Sequence, residues 1–392
     1  MKEKLFQFFF CIYIFWNVCL STFLGIRGLD IDGVIMRVVL IGIAGISWLF
    51  YFTFVPKYLK EKKMIFFLAV FGLMFYSTQY FHDYCPNKTG YIGQLLRWGA
   101  DCVSGCLIGM ILMKINDYSI IHRFLPLECV ALTPFMAFAT ITLGASQGQM
   151  HIVGGLNYQT VAYSMAVLFG ISFFYTFIYK GIELGKLKKL IMMVFLLIQA
   201  ACCAMAGGRG GLVLLVVYVC YLSFLMVKNN IVSKRKFIVI AIVSVVGFFV
   251  VADCLGVFNS SGFERSSNSL NNDDRFEVWS EYWKFIDDYP IFGYGLGGDY
   301  FTVGFYSHNM IVDFLLELGI VGLLVMISIF FKTYKKVYFL TKQNPVFIIV
   351  MILFIYGMVM NMFSGYWISM NTNWLCFGVA MTSMNYFKIH NE

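Results

Sequence analysis

Long apolar runs recur along the whole of this chain and constrain its fold more than any other feature. A helix needs about 20 apolar residues to cross a bilayer core of about 30 Å. With 60% of residues hydrophobic and only 13% charged, a water-soluble fold could not bury so much apolar surface. The sequence therefore predicts an all-α polytopic membrane protein with about twelve transmembrane helices. They are expected near residues 5–24, 34–56, 64–81, 92–113, 125–143, 158–180, 187–206, 211–227, 237–257, 309–331, 346–363 and 373–387.

The positions of the basic residues predict the orientation. The formal net charge of +8 would suggest a nucleic-acid partner in a soluble protein, but here the lysines and arginines cluster in alternate connections between apolar runs. Of the 29 basic residues, all but eight fall in the connections that are cytoplasmic if both termini are cytoplasmic. The eight exceptions are Arg27, Arg37, Lys88, Arg97, Arg209, Arg265, Arg275 and Lys284. The pattern predicts a multi-pass protein with both ends in the cytoplasm and no nucleic-acid partner.

This topology leaves one long connection on the outer side, at 258–308. We expect three parts: 1–257 with the first nine helices, the loop 258–308, and 309–392 with the last three helices. A long loop in a protein of short loops is where function is expected.

A short glycine-rich turn joins the seventh and eighth predicted spans. It reads Ala206-Gly207-Gly208-Arg209-Gly210-Gly211, so Arg209 must lie at the membrane edge, where a guanidinium matches phosphate oxygens. Gly208 and Gly210 leave room for a headgroup to approach the backbone. We expect these three residues to contact substrate. The alternative is an arginine that only snorkels to the interface.

The large loop contains a predicted amphipathic helix that begins at Arg275 and ends at 287–290. Phe276, Trp279, Trp283 and Ile286 recur at helical spacing, which predicts a helix lying on the membrane surface with its tryptophans as anchors. The helix dipole disfavours a cation at an N-terminus. Arg275 therefore predicts a nearby anion such as phosphate.

A second glycine-rich stretch, Gly293-Tyr294-Gly295-Leu296-Gly297-Gly298-Asp299, follows this helix. It lacks the strand and helix that flank a dinucleotide-binding turn. We interpret it as a flexible turn, or as the lip of a site in which Gly295 allows close approach to the backbone.

Polar residues then lead into the tenth predicted span. Ser307 is expected to cap that helix, with His308 and Asn309 in its first turn. Asn309, Asp313 and Glu317 recur every four residues on one face, which indicates a polar cavity rather than lipid. His308 beside such a cavity is a candidate general base, or a phosphate ligand if protonated.

Arg97 and Asp101 lie four residues apart in the fourth predicted span, and two interpretations stay open. They neutralise each other as a buried pair, or Arg97 faces the substrate cavity. The eleven cysteines show no spacing typical of a metal site, and we predict neither a metal nor a cofactor.

The ordered set of motifs resembles the O-antigen polymerase and ligase superfamily. It comprises Gly-Gly-Arg at 207–209, Arg275 in a large outer loop, Pro290 with Gly293-Tyr294-Gly295, His308-Asn309, and Glu317-Leu318-Gly319. Gly154-Gly155-Leu156-Asn157-Tyr158 is similar to polymerase sequences. The resemblance implies inverting glycosyl transfer at the periplasmic face of the bacterial inner membrane, from a glycan on undecaprenyl pyrophosphate, without metal or nucleotide sugar.

The same resemblance implies residue roles and partners. Arg209 and Arg275 would hold the pyrophosphate, His308 would orient or deprotonate the acceptor hydroxyl, and Asn309 and Glu317 would shape the cavity. Partners would be the lipid-linked oligosaccharide, membrane lipids, and a flippase and chain-length regulator of the same pathway. Polymerase is favoured over ligase by the 154–158 stretch. A transporter of the same lipid is the alternative from another class, disfavoured because the polar residues concentrate on the outer side.

Overall fold

The computed structural model describes residues 1–26, 33–54, 62–140, 151–153, 156–181, 185–231 and 275–382, with 233, 235, 246, 250, 253 and 254 between them. Contacts divide the chain into two compact units. The first unit comprises Met1–Ile35 and Tyr118–Asn272, and the second comprises Met36–Asp117 and Asp273–Glu392. The division 1–257, 258–308 and 309–392 expected from the sequence follows the order of the chain and stays a prediction.

The first unit consists mainly of long helices. Its elements are α1 (Lys2–Ile26), α6 (Ser119–Ala139), strands β1 (His151–Val153) and β2 (Leu156–Asn157), α7 (Tyr158–Phe173) continued by a π turn (Phe174–Ile178), α8 (Lys186–Met205) and α9 (Arg209–Lys228). The strands pair antiparallel with His151 opposite Asn157, directly before α7. This hairpin is the only sheet among the described residues, so the all-α prediction is confirmed.

The second unit combines long helices with several short ones. Its elements are α2 (Gly33–Phe54, from Met36 onward), α3 (Lys62–Ser77), α4 (Lys88–Arg97), α5 (Val103–Leu112), α10 (Arg275–Asp288), α11 (Asp299–Thr302), α12 (Met310–Thr341), α13 (Val346–Phe363) and α14 (Asn371–Met381). A 3₁₀ turn at Thr78–Tyr80 follows α3, a π turn at Trp98–Cys102 joins α4 to α5, and a 3₁₀ turn at Trp367–Ser369 precedes α14.

Small residues let α5 and α14 cross closely. A Cβ on Gly109 would lie 2.1 Å from the carbonyl oxygen of Leu375, and a Cβ on Gly378 would lie 2.1 Å from that of Cys106. Neither helix can therefore carry a larger residue at this crossing, as expected for helices packed within a membrane.

Within the described residues, nine helices are long and apolar enough to cross a membrane, against twelve predicted spans. Met64–Tyr80 is a shorter apolar helix, and the predicted span at 237–257 lies largely outside the described residues. The predicted span at 373–387 contains α14, whose 11 residues extend over only about 16 Å at about 1.5 Å per residue. The polytopic membrane architecture is confirmed, and the count of twelve stays a prediction.

Candidate active site

Helix α10 has the predicted ends, and it also buries residues against α12. Its Tyr282 and Ile286 are buried against Val312 and Leu316 of α12. Trp283, expected in the apolar stripe, is 48% exposed. The predicted stripe did not include Tyr282, whose large ring fills the contact with α12.

Ser307 is fixed in place from three directions. It is fully buried, and both its N–H and its hydroxyl donate to Asp313 Oδ1, at 2.8 and 2.6 Å. Its carbonyl oxygen accepts the indole N–H of Trp279 at 3.0 Å. The preceding loop is also held, because the Tyr282 hydroxyl donates to the carbonyl oxygen of Phe305. Trp279 therefore orders this loop, which the expected role as a membrane anchor does not include.

His308 follows Ser307 in a strained backbone conformation. Its φ is +61°, in the left-handed region that residues other than glycine rarely adopt. Such strain persists only where the surroundings enforce it, and it concentrates at functional sites. The bonds that fix Ser307 supply that enforcement.

The contacts of the His308 ring define its tautomer. Its Nδ1 lies 3.1 Å from the carbonyl oxygen of Ser364. Since a carbonyl oxygen only accepts, Nδ1 carries the proton, and the lone pair of the neutral ring lies on Nε2. A hydrogen bond from one ring nitrogen that fixes the tautomer in this way is typical of a histidine that acts as a base.

Helix α12 begins two residues later than the sequence suggested. Asn309, rather than Ser307, is the N-cap, and its Oδ1 accepts the N–H of Ile311 at 3.0 Å. The expectation that His308 and Asn309 lie in the first turn is wrong. Asparagine at the cap satisfies a helix N–H that would otherwise lack a partner, and His308 thereby stays outside the helix with freedom to adopt its unusual φ.

Three carboxylates lie buried beside this loop. Asp299, Asp313 and Glu317 have no exposed surface. Glu317 accepts the Tyr366 hydroxyl and the Gly297 N–H on Oε1, and the Trp367 indole N–H on Oε2 at 2.9 Å. These contacts give Glu317 a structural use, and its role toward substrate stays a prediction.

Hydrogen bonding around Asp299 is incomplete. The Tyr366 hydroxyl lies 3.3 Å from Asp299 Oδ1, whereas Oδ2 has no hydrogen-bond partner. Burial raises the pKa of Asp299 to about 7, although hydrogen bonds with Glu317, Tyr366 and the backbone oppose the shift. Within the part of the chain that the structure describes, no three His, Cys, Asp or Glu side chains are arranged to hold a metal ion.

Aromatic rings connect His308 to the carboxylates. The ring of Tyr306 contacts that of His308 at 4.6 Å between centroids and stacks on that of Tyr366 at 5.3 Å. Burial raises the pKa of Tyr306, and the charge of Arg97 opposes this rise.

The exposure of Arg97 bears on the two open interpretations. Arg97 is exposed, whereas Asp101 is buried and accepts from Asn371 Nδ2 at 3.1 Å. Because Arg97 is exposed, the expectation that both members of the pair are buried is wrong. The remaining interpretation, with Arg97 at a substrate cavity, stays a prediction.

The second glycine-rich stretch is bound into a break in α12. At Gly319, where φ is +63°, the helical hydrogen bonding is interrupted. The N–H groups of Tyr294 and Gly295 donate to the carbonyl oxygens of Leu316 and Glu317, at 2.8 and 2.7 Å. The expectation of a flexible turn is therefore wrong. Gly295, with φ +90°, serves a backbone path that follows the opened helix.

The arginine turn lies in the first unit. Gly207 has φ +75°, and Arg209 is the first residue of α9, where its partly exposed side chain is found. Cβ atoms on Gly208 and Gly211 would each lie 2.7 Å from the Cβ of Ala162 in α7. These glycines therefore have a packing role, and Gly210 is buried beside them.

Comparison with known families gives one match. Residues 191–327, about a third of the chain, match the family model described as O-antigen ligase. This segment is similar to the O-antigen ligase family. This supports the predicted superfamily and leaves polymerase and ligase open. Neither the search of curated proteins nor the search of solved structures finds a match.

The O-antigen ligase match covers α8 to the middle of α12, and thus most predicted site residues. Gly208, Arg209 and Gly210 belong to the first unit, whereas Gly295, His308, Asn309 and Glu317 belong to the second, with Arg97 outside the match. Arg275 is the first residue of α10, and its side chain lies outside the described residues.

Several residues around His308 were not found from the sequence. Asp299 is the last residue of the glycine-rich stretch and was not predicted as a site residue by itself. Tyr306 precedes Ser307 and belongs to no motif. Tyr366 and Trp367 lie about sixty residues beyond His308 in the chain, in a turn between α13 and α14. No local pattern marks them, because their role depends on contacts with Glu317.

Proposed function

We propose that the protein is an O-antigen polymerase. It would join repeat units carried on undecaprenyl pyrophosphate, at the periplasmic face of the bacterial inner membrane and with both termini in the cytoplasm. The O-antigen ligase family match supports glycosyl transfer of this type. The preference for polymerase rests on the resemblance of residues 154–158, of which the structure describes the hairpin strand Leu156–Asn157 and Tyr158 at the start of α7.

The His308 ring carries this proposal. With Nδ1 donating to Ser364, Nε2 accepts the proton of the acceptor hydroxyl as its oxygen attacks the anomeric carbon of the donor sugar. The bond from that carbon to the pyrophosphate oxygen breaks, and configuration inverts. Undecaprenyl pyrophosphate leaves with the electron pair of the broken bond, and the proton on His308 returns to solvent or to the leaving group.

Arginines would stabilise the departing charge. By resemblance Arg209 and Arg275 hold the pyrophosphate, and we propose that Arg97 also faces the substrate cavity. Gly208 and Gly210 would let the headgroup approach the backbone, while Gly295, Asn309 and Glu317 would shape the sugar cavity. The resemblance implies that no metal takes part, so turnover should persist in a chelator.

Turnover with defined substrate tests the chemistry. Purified protein in vesicles is given a lipid-linked repeat unit, and the products are separated by mass. We expect lipid-linked dimers and longer glycans together with free undecaprenyl pyrophosphate. Movement of intact lipid across the vesicle membrane without any product would instead indicate a transporter.

Deletion in the host separates polymerase from ligase. Loss of the polymerase leaves lipid A core with a single repeat unit and no ladder. Loss of a ligase leaves the core unmodified while long glycan accumulates on undecaprenyl pyrophosphate. An unchanged ladder contradicts both assignments.

A further inference from the structure

The connection after α10 meets α12 in the middle of a candidate membrane span. The N–H of Ile320 donates to the carbonyl oxygen of Pro290 at 2.9 Å, and that of Val321 to the carbonyl oxygen of Ile291 at 3.3 Å. Both donors belong to Met310–Thr341, which is long and apolar enough to cross a membrane. The connection therefore lies at the same depth as Gly319–Val321.

Lysines near the end of α12 fix that depth. Lys332 and Lys335 mark one membrane edge, and the Lys335 ammonium lies 4.4 Å from the ring centroid of Phe331. From Lys332 back to Gly319 the helix rises about 20 Å, at about 1.5 Å per residue. Since the hydrocarbon core is about 30 Å thick, the break lies about 10 Å inside the opposite edge.

Several backbone groups of the connection are satisfied by hydrogen bonds within the protein. Irregular chain at membrane depth requires its polar groups to be satisfied by protein. Pro290 has no N–H, and the carbonyl oxygens of Pro290 and Ile291 accept from α12. Gly293 donates to Tyr289, while Tyr294 and Gly295 donate to the carbonyl oxygens that the break at Gly319 leaves available.

Its side chains are apolar and point away from the protein. Ile291 is 55% exposed and Phe292 is 75% exposed. On α12, Ile320 and Leu324 continue the same exposed apolar surface, with Leu324 at 63%. In water such a cluster would be costly to leave uncovered, whereas acyl chains cover it at no such cost.

We propose that residues 289–295 form a re-entrant loop, with Ile291 and Phe292 in contact with the acyl chains of the leaflet opposite the Lys332 edge. The loop holds the glycine-rich stretch against the backbone of Leu316 and Glu317. This inference rests on the backbone contacts with α12 and not on the proposed reaction.

Photocrosslinking from single positions tests the loop. Phe292→p-benzoylphenylalanine and Ile291→p-benzoylphenylalanine are made in the full chain. Each variant is reconstituted in vesicles of phosphatidylethanolamine and phosphatidylglycerol, irradiated, and analysed by intact mass. Leu324→p-benzoylphenylalanine is the lipid-facing control. Asp287→p-benzoylphenylalanine, at an exposed polar position of α10, is the water-facing control.

We expect phospholipid adducts at 291 and 292 in a yield that matches position 324, and none above background at 287. Yields at 291 and 292 equal to that at 287 would overturn the proposal. So would crosslinks to a second copy of the chain in place of lipid. Because two neighbouring positions are tested, one variant that fails to fold leaves the other to decide.

Discussion

The arginine turn of the first unit and the glycine-rich stretch of the second unit look alike in sequence but use their glycines differently. At 207–211, two glycines remove side chains so that α9 can pack on Ala162 of α7. At 293–297, glycines with positive φ let the chain hydrogen bond to the opened end of a helix. One set permits the approach of a helix, and the other permits an unusual path of the backbone.

The difference shows what a glycine motif predicts. Glycine indicates that something approaches closely or that φ is positive, and the sequence alone does not say which. In both regions part of the expected space for substrate is occupied by protein.

The largest expected effect is at the helix break. Gly319→Ala places a Cβ 2.2 Å from the carbonyl oxygen of Ile291, at a φ of +63°. Backbone strain alone costs about 1–3 kcal/mol, and the clash adds to it. We expect little folded protein and a melting temperature well below wild type. Gly45→Ala, where a Cβ meets nothing within 4 Å, is the control and should melt as wild type does. Equal melting of the two variants would contradict the role of the break.

Substitution of His308 should remove activity rather than stability. Loss of a general base costs about 10²–10⁴-fold in rate, so His308→Ala should form almost no polymer in the vesicle assay. His308→Gly relieves the strain of a φ of +61°, so it should melt at or above the temperature of wild type while remaining inactive. Near-normal polymer from the glycine variant would show that His308 acts only as a structural residue.

The sequence predicted local features of this region well and long-range contacts poorly. Both ends of α10 followed from Arg275 and from Asp287-Asp288-Tyr289-Pro290, because capping and proline are local signals. The predicted N-cap of α12 was misplaced by two residues, since Ser307 and Asn309 are both good N-cap residues. In the structure the Ser307 hydroxyl donates to Asp313, and Asn309 caps the helix. The hydrogen bond from Tyr366 to Glu317 could not be predicted, because no sequence motif near Tyr366 indicates it.

Substitutions at Gly208 distinguish a role in packing from a role in substrate contact. Gly208→Ala brings a Cβ within 2.7 Å of the Ala162 Cβ, and overpacking of this kind costs about 1–3 kcal/mol. We expect a lower melting temperature that Ala162→Gly restores in the double variant. If the restored protein also makes polymer, Gly208 serves packing alone. A stable but inactive double variant would support the predicted contact between Gly208 and substrate.

The smallest expected effect concerns pH and the buried Asp299. Its pKa in the folded protein is about 7, well above the ordinary value of 3.8, because burial disfavours the charged form. Between these values the folded state binds a proton that the unfolded state has lost, so stability falls as pH rises from about 4 to about 7. Asp299→Asn removes that proton exchange and should flatten the decline in melting temperature across this range. Asp287→Asn, at an exposed carboxylate of α10, should keep the wild-type slope. Parallel melting curves for wild type and the Asp299 variant would mean that Asp299 is ionised in the folded protein, and that the bonds from Tyr366 and the backbone outweigh its burial.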